Sequence, residues 1–277
     1  MELDIARFDI SAMCKRRLHF TGIFCGRRGS GKSTLMKDIL HHLHQEGVPR
    51  VAIFSATEEA NSFYSDFVPP LFVHKGLDIK RLERIVEHQK ELKVRQQAGD
   101  IPAEQNISLV ILLDDVAFDK KTLNSPVIRE LFYNGRHHKI TLLLTLQYLM
   151  DLNIGLRGNV DVAFFLKDNT KSNRARIHEC FCGFIEKFTN FQAIFEACTS
   201  NFESLVVDST ANDVDISKNM FFYKADPDAA FRFGDPKLWE FNRLHYEDAV
   251  TRFQNTLERE RRSSKRKDAG GIKIKLT

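Results

Sequence analysis

Eight consecutive residues, Gly26-Arg27-Arg28-Gly29-Ser30-Gly31-Lys32-Ser33, have the G-x-x-x-x-G-K-[ST] spacing of a loop that wraps a phosphate chain. Glycines at 26, 29 and 31 allow the backbone to curl tightly and aim its N–H groups inward. Lys32 is placed to reach the terminal phosphates, and the Ser33 hydroxyl can bind magnesium. Ser30 and Thr34 complete the cradle through their backbone. Arg27 and Arg28 belong to the loop too, but their side chains are expected to face solvent or a subunit contact. A nucleoside triphosphate is the ligand this pattern implies.

A second group of residues could split that triphosphate. Leu109 to Leu113 is a continuous apolar run that ends in Asp114 and Asp115. A buried strand with this ending sets two carboxylates at a sheet edge. Asp114 would then hold magnesium, and Asp115 would act as general base on the attacking water. Asp is also common where a strand simply turns, so it is the pairing with the glycine loop that raises the reading. Gln147 follows another buried run, Ile140–Leu146, and an amide there can touch the γ-phosphate or its water.

These residues need a scaffold of alternating elements. Leu18–Cys25 reads as a strand before the loop, and residues 34–44 as a helix after it. Further strands are expected at Val51–Ala56, Leu71–His74, Ile107–Leu113, Ile140–Leu146, Val160–Leu166, Glu203–Asp208 and Met220–Tyr223. Helices are expected at Ile79–Gln97, Val127–Tyr133, Ser172–Phe184 and Phe188–Cys198, with a helix start at Thr57. The alternation predicts an α/β fold of the P-loop type. Its doubly wound, mostly parallel sheet carries helices on both faces and the nucleotide at the carboxyl ends of the strands. The order of loop, acid strand and Gln strand fits ATPases with an extra strand between the first two.

Composition bounds the rest. The 277 residues suit one large core, taken as a single domain over 1–257 followed by a basic tail, 258–277. That tail holds eight Lys or Arg against three acids, a net +5 in a chain of net +4, so residues 1–257 are near neutral. Such a tail suits a polyanion, an acidic partner or a solubilising end equally. The apolar runs are strand-sized, which predicts no transmembrane segment, and the N-terminal decapeptide lacks a signal-peptide core. Five cysteines form no even framework, which points to a reducing compartment. His178, Cys180 and Cys182 lack the spacing of a zinc knuckle, and His137 and His138 read as loop or packing residues. The 23 Phe residues read mainly as core.

Five segments carry a resemblance: GRRGSGKSTLMKDIL, LVILLDDV, FYNGRHHKITLLLTLQY, LRGNVDVAFFLKDN and FESLVVDST. In this order they resemble the DNA-packaging ATPases of nucleocytoplasmic large DNA viruses, the poxvirus-type branch of the FtsK/HerA superfamily. The resemblance spans roughly residues 10–245. It implies that Lys32 and Ser33 bind ATP and magnesium, that Asp114 and Asp115 serve metal and water, and that Gln147 is a sensor. Asp115 departs from the Glu of many ATPases, and its shorter side chain calls for a bridging water.

The resemblance further implies a homo-oligomeric ring, hexameric or pentameric, that moves double-stranded DNA into a capsid. An arginine from a neighbouring subunit would complete each site. Arg136 and Arg157 are the two candidates, with Arg157 preferred for the long loop around it. A capsid vertex or a membrane-associated virion protein would be the docking partner, in the virus factory of the host cytoplasm or in the virion. A helicase or recombination-associated remodeller of the same fold, or a nucleotide-dependent assembly switch, are the alternatives.

Overall fold

The computed structural model describes residues 4–116, 120–149, 152–211, 215–247 and 251. The basic tail from Glu258 onward lies outside them. Eight strands form one sheet: β1 (Thr21–Cys25), β2 (Arg50–Ser55), β3 (Val73–Lys75), β4 (Leu109–Asp114), β5 (Ile140–Leu146), β6 (Val162–Leu166), β7 (Glu203–Asp208) and β8 (Met220–Lys224). Their order across the sheet is β3-β2-β4-β5-β1-β6-β7-β8. Strands β3 to β6 in that order run parallel. β7 pairs antiparallel with both β6 and β8, and β8 forms that edge.

The helices are α1 (Ile10–Arg16), α2 (Lys32–Gln45), α3 (Glu58–Asn61), α4 (Ile79–Gln97), α5 (Lys120–Leu123), α6 (Pro126–Asn134), α7 (Ile154–Arg157), α8 (Lys171–Phe181), α9 (Phe188–Cys198), α10 (Ile216–Asn219) and α11 (Pro236–His245). None of the described helices is long and apolar enough to cross a membrane.

The period-two alternation of a strand explains why the central runs are apolar throughout. Ile111, Leu113, Leu142, Leu144 and Phe165 face a layer built from α4, α6, α8 and α9. Val110, Leu112, Leu143, Phe164 and Leu166 face the opposite layer, where Leu35, Ile39, Leu40 and Leu43 of α2 pack with Ile10 and Met13 of α1. Each such Leu, Ile or Phe removed from water contributes about 1.5–3 kcal/mol. Those two apolar layers hold β1, β4 and β5 rigid, and rigid strands are what fix the groups at their ends.

Several boundaries differ from the sequence expectation for local polar reasons. The first strand begins at Thr21, three residues later than expected, because the Thr21 amide is taken by the Asp161 carboxylate at 2.8 Å. Ile107 and Ser108 precede β4 because the Ile107 carbonyl accepts from Gln89 Nε2 at 2.8 Å and from Arg50. Helix α8 stops at Phe181, short of Phe184. Five of the described helices go beyond the sequence expectation: the single turns α5, α7 and α10, together with α1, capped by Asp9 on the Ala12 amide, and α11, capped by Asp235 with Pro236 in its first turn.

Candidate nucleotide site

The glycine loop joins β1 to α2, as its spacing requires. Gly29 and Gly31 have φ of 77° and 97°, a region that side chains disfavour. Gly31 is also the N-cap of α2 and offers no side-chain cap. The amides of Gly31, Lys32, Ser33 and Thr34 have no acceptor among the described residues. Together with the helix dipole, these N–H groups make the head of α2 an anion site.

Lys32 folds its ammonium into the loop, donating to the Gly26 carbonyl and to the Arg27 carbonyl at 3.0 Å. Burial lowers its pKa from the ordinary lysine value, while the Asp115 and Asp114 carboxylates oppose that shift. Lysine and both acids therefore occupy one electrostatic neighbourhood. The Arg27 and Arg28 side chains are exposed, as expected; Arg28 lines the cleft, and Arg27 contributes its carbonyl.

Asp114 ends β4 and is almost fully buried. Its Oδ1 accepts from the Thr145 hydroxyl at 2.8 Å and its Oδ2 from the Ser55 hydroxyl at 3.3 Å. Burial is the main cause that raises its pKa above the ordinary carboxylate value, with the Asp115 charge adding to it and these hydroxyl bonds working against it. The Tyr64 hydroxyl is buried in the same neighbourhood without reaching hydrogen-bond geometry to any described residue.

Asp115 adopts φ 50°, unusual for a residue with a side chain. Two bonds hold it there. Its amide donates to Thr145 Oγ1 at 2.8 Å, and its Oδ1 accepts from Gln147 Nε2 at 2.8 Å. One threonine hydroxyl thus serves both acids, accepting from one backbone and donating to the other side chain. Thr145 and Ser55 were missed in the sequence. Thr145 left a weak trace, being a polar residue inside the run ITLLLTL and sharing the strand period with Gln147.

A cleft of about 1000 Å³ gathers Gly31, Lys32, Ser33, Thr34, Asp114, Asp115 and Gln147. Its other wall is formed by Asn201, Phe202, Lys224, Ala225 and Pro227. Gly26 lies under the loop, where a Cβ would meet Ser30 Oγ at 2.7 Å and Leu166 Cβ at 2.9 Å, so only glycine fits. Among the described residues no three His, Cys, Asp or Glu side chains cluster as a metal cage. His178 instead bonds the Ile185 carbonyl at 2.6 Å, and Cys182 is buried. His138 bonds Glu130 at 3.0 Å.

Arg136 and Arg157 lie elsewhere. Both line a second cleft, of about 890 Å³, with Arg17 and Asp161 at the opposite ends of the central strands. Arg157 is committed locally: its Nε donates to the Leu152 carbonyl at 3.0 Å and its Nη1 to Cys180 Sγ. Arg136 is exposed, and its guanidinium has no hydrogen-bond partner among the described residues. Arg157, the reaching arginine preferred from the sequence, thus has its head group bonded within its own chain.

Comparisons with known proteins agree with this architecture. A family model described as Poxvirus A32 protein matches residues 5–182. The chain is 30% identical over 260 residues to Uncharacterized protein 075L of Invertebrate iridescent virus 6, covering 91% of this chain and 98% of that one. It is 29% identical over 221 residues to Uncharacterized protein 015R of Frog virus 3, covering 79% and 66%. Among solved structures, the genome packaging NTPase B204 from Sulfolobus turreted icosahedral virus 2, in complex with AMP, aligns at TM-score 0.54 and 17% identity, over 75% of this chain and 98% of that one. The pCW3 conjugation coupling protein TcpA aligns at TM-score 0.52 and 15% identity, over 82% and 65%. At these identities the structural likeness is one of fold.

Proposed function

The chain belongs to the poxvirus A32 protein family, and from that membership we propose an ATP-driven motor that moves double-stranded DNA, packaging a viral genome into its capsid. The observation that carries this reading is the convergence of Lys32, Asp114, Asp115 and Gln147 on one cleft, with β5 standing between β1 and β4.

The amides of residues 31–34 bind the phosphate chain at the head of α2, and Lys32 exchanges its carbonyl partners for phosphate oxygens. Water attacks the γ-phosphorus as the bond to the β–γ bridging oxygen breaks, so ADP leaves with that oxygen and inorganic phosphate is released. The water's proton passes to the Asp115 carboxylate, which Gln147 holds in place. Ser33 and Asp114 line this cleft with hard oxygen donors and are the residues that would hold magnesium. When bound, magnesium would neutralise the negative charge that develops on the phosphates during hydrolysis.

Completion of the site in trans falls to Arg136 of a neighbouring subunit, in a ring of five or six copies. Residues 1–257 are near neutral, so each copy needs only a few contacts to the DNA backbone, multiplied around the ring. The basic tail is a further polyanion contact. Docking on a capsid vertex or a membrane-associated virion protein places the motor in the virus factory and the virion. The test is turnover of ATP by the purified chain with and without duplex DNA. Stimulation by duplexes of unrelated sequence supports the motor. Indifference to DNA of every form would make it a switch, and separation of a forked duplex would make it a helicase.

A further inference from the structure

The cleft holds one feature that hydrolysis does not use. Phe202 is 75% exposed, and among the described residues it is the one exposed large apolar side chain that lines the nucleotide cleft. It sits in the turn between α9 and β7, closed by the Glu203 amide donating to the Ser200 carbonyl at 2.9 Å. The two central residues, Asn201 and Phe202, have φ of 51° and 61°. Positive φ at both centres is the pattern of a type I′ turn, in which Asn is common at the first position and Gly at the second. Asn201 obeys that preference. Phe202 violates it, holding a bulky ring where glycine would relieve the backbone. An exposed ring on a disfavoured backbone, inside a cleft, needs a reason other than folding.

The direction of the phosphate chain supplies one. This step rests on the nucleotide reading of the cleft. The head of α2 fixes the middle of the chain, and Asp114, Asp115 and Gln147 stand on the β4–β5 side of it. The terminal phosphate points that way, so the sugar and base extend over β6, β7 and β8. The wall they meet there is Asn201, Phe202, Lys224, Ala225 and Pro227. The Phe202 ring already lies against the loop, 3.6 Å from where a Cβ on Gly31 would stand. We infer that Phe202 is the platform on which the nucleobase of the bound triphosphate stacks. Stacking reads a π-face rather than a hydrogen-bonding edge, so the platform favours no single purine.

The experiment uses the full chain and three probes: ATP, GTP and inorganic tripolyphosphate, each titrated calorimetrically. Phe202→Gly removes the ring while easing the turn, so the variant keeps or gains thermal stability. Its affinity for ATP and for GTP is expected to fall by roughly tenfold or more, and alike, with tripolyphosphate affinity unchanged. Phe202→Trp restores nucleotide affinity. Equal loss of nucleotide and tripolyphosphate binding would overturn the inference, because the ring would then be shaping the loop. Unchanged ATP affinity with altered self-association would also overturn it, making Phe202 a subunit contact. Lys32→Ala separates the two levels: it abolishes tripolyphosphate binding if the phosphate site is as described. If Lys32→Ala binds like the wild type, the site reading falls and the platform falls with it.

Discussion

Gln147 Nε2 donates to Asp115 Oδ1 across 2.8 Å, so the residue that follows β5 steers the carboxylate that follows β4. This bond turns two separate strand endings into one device. Gln147→Ala should lower kcat by about 100-fold with little change in KM, because a misplaced base loses its aim rather than its substrate. Gln147→Glu should shift the acid limb of the kcat–pH profile upward, since a second carboxylate beside Asp115 disfavours ionisation of the pair. Steady-state ATPase assays across pH read both outcomes, and an unshifted limb would separate Gln147 from the base.

Thr145 should matter to folding and to catalysis together. Thr145→Val keeps the side-chain shape but leaves the Asp114 Oδ1 and the Asp115 amide without their shared partner. The expected loss is about 1–3 kcal/mol in urea unfolding. The Asp114 carboxyl, already raised by burial, should rise further, so more magnesium is needed for half-maximal turnover. Thr145→Ser should retain most of both properties.

The two arginines should behave in opposite ways. Arg157→Ala should cost about 1 kcal/mol or more in stability, because it removes the bond to the Leu152 carbonyl and the contact with Cys180. Arg136→Ala should leave the melting temperature unchanged and reduce turnover by about a thousandfold. Mixing Arg136→Ala subunits with Lys32→Ala subunits should recover activity, since each would supply what the other lacks. Absence of recovery in mixed rings would remove Arg136 from the trans role.

Acid should destabilise the fold before the carboxylates titrate. Burial pushes His19 and His74 down to about 4 from the ordinary 6.5, with Lys139 near His19 and Arg81 near His74 adding to the effect. Both are neutral in the folded chain over a range where the unfolded chain takes up protons. The stability they lend is complete above about pH 6.5 and is lost as pH falls from there towards 4. Melting temperature measured between pH 7.5 and 4.5 should decline. His19→Asn should flatten part of that slope while keeping a polar partner near the Ser108 hydroxyl, now bonded at 2.8 Å. An unaltered slope would move its origin away from His19.

The phosphate loop was legible because its chemistry is local. Eight consecutive residues contain the glycines that permit the curl, the lysine and the serine, and the flanking apolar periodicities announce the strand and the helix. The acid pair was legible for the same reason: an unbroken apolar run marks a strand buried on both faces, and its end is where polar groups reach solvent. The late helix α11 was not, since its exposed Phe241 and Leu244 blur the apolar stripe that periodicity depends on.

What the chain's order alone determined was the set of chemical groups and the elements that carry them. Only the tertiary structure decided their partners. β5 enters the sheet between β1 and β4 through pairings more than a hundred residues apart for β1, and this puts the Thr145 hydroxyl between the Asp114 carboxylate and the Asp115 amide. Tertiary packing bonds Arg157 within its own chain and leaves Arg136 exposed. It swings Phe202 over the glycine loop from a turn about 170 positions downstream. Backbone preference acts over a few neighbouring residues and can be read in order, whereas a shared hydroxyl or a facing ring exists only once distant segments have packed.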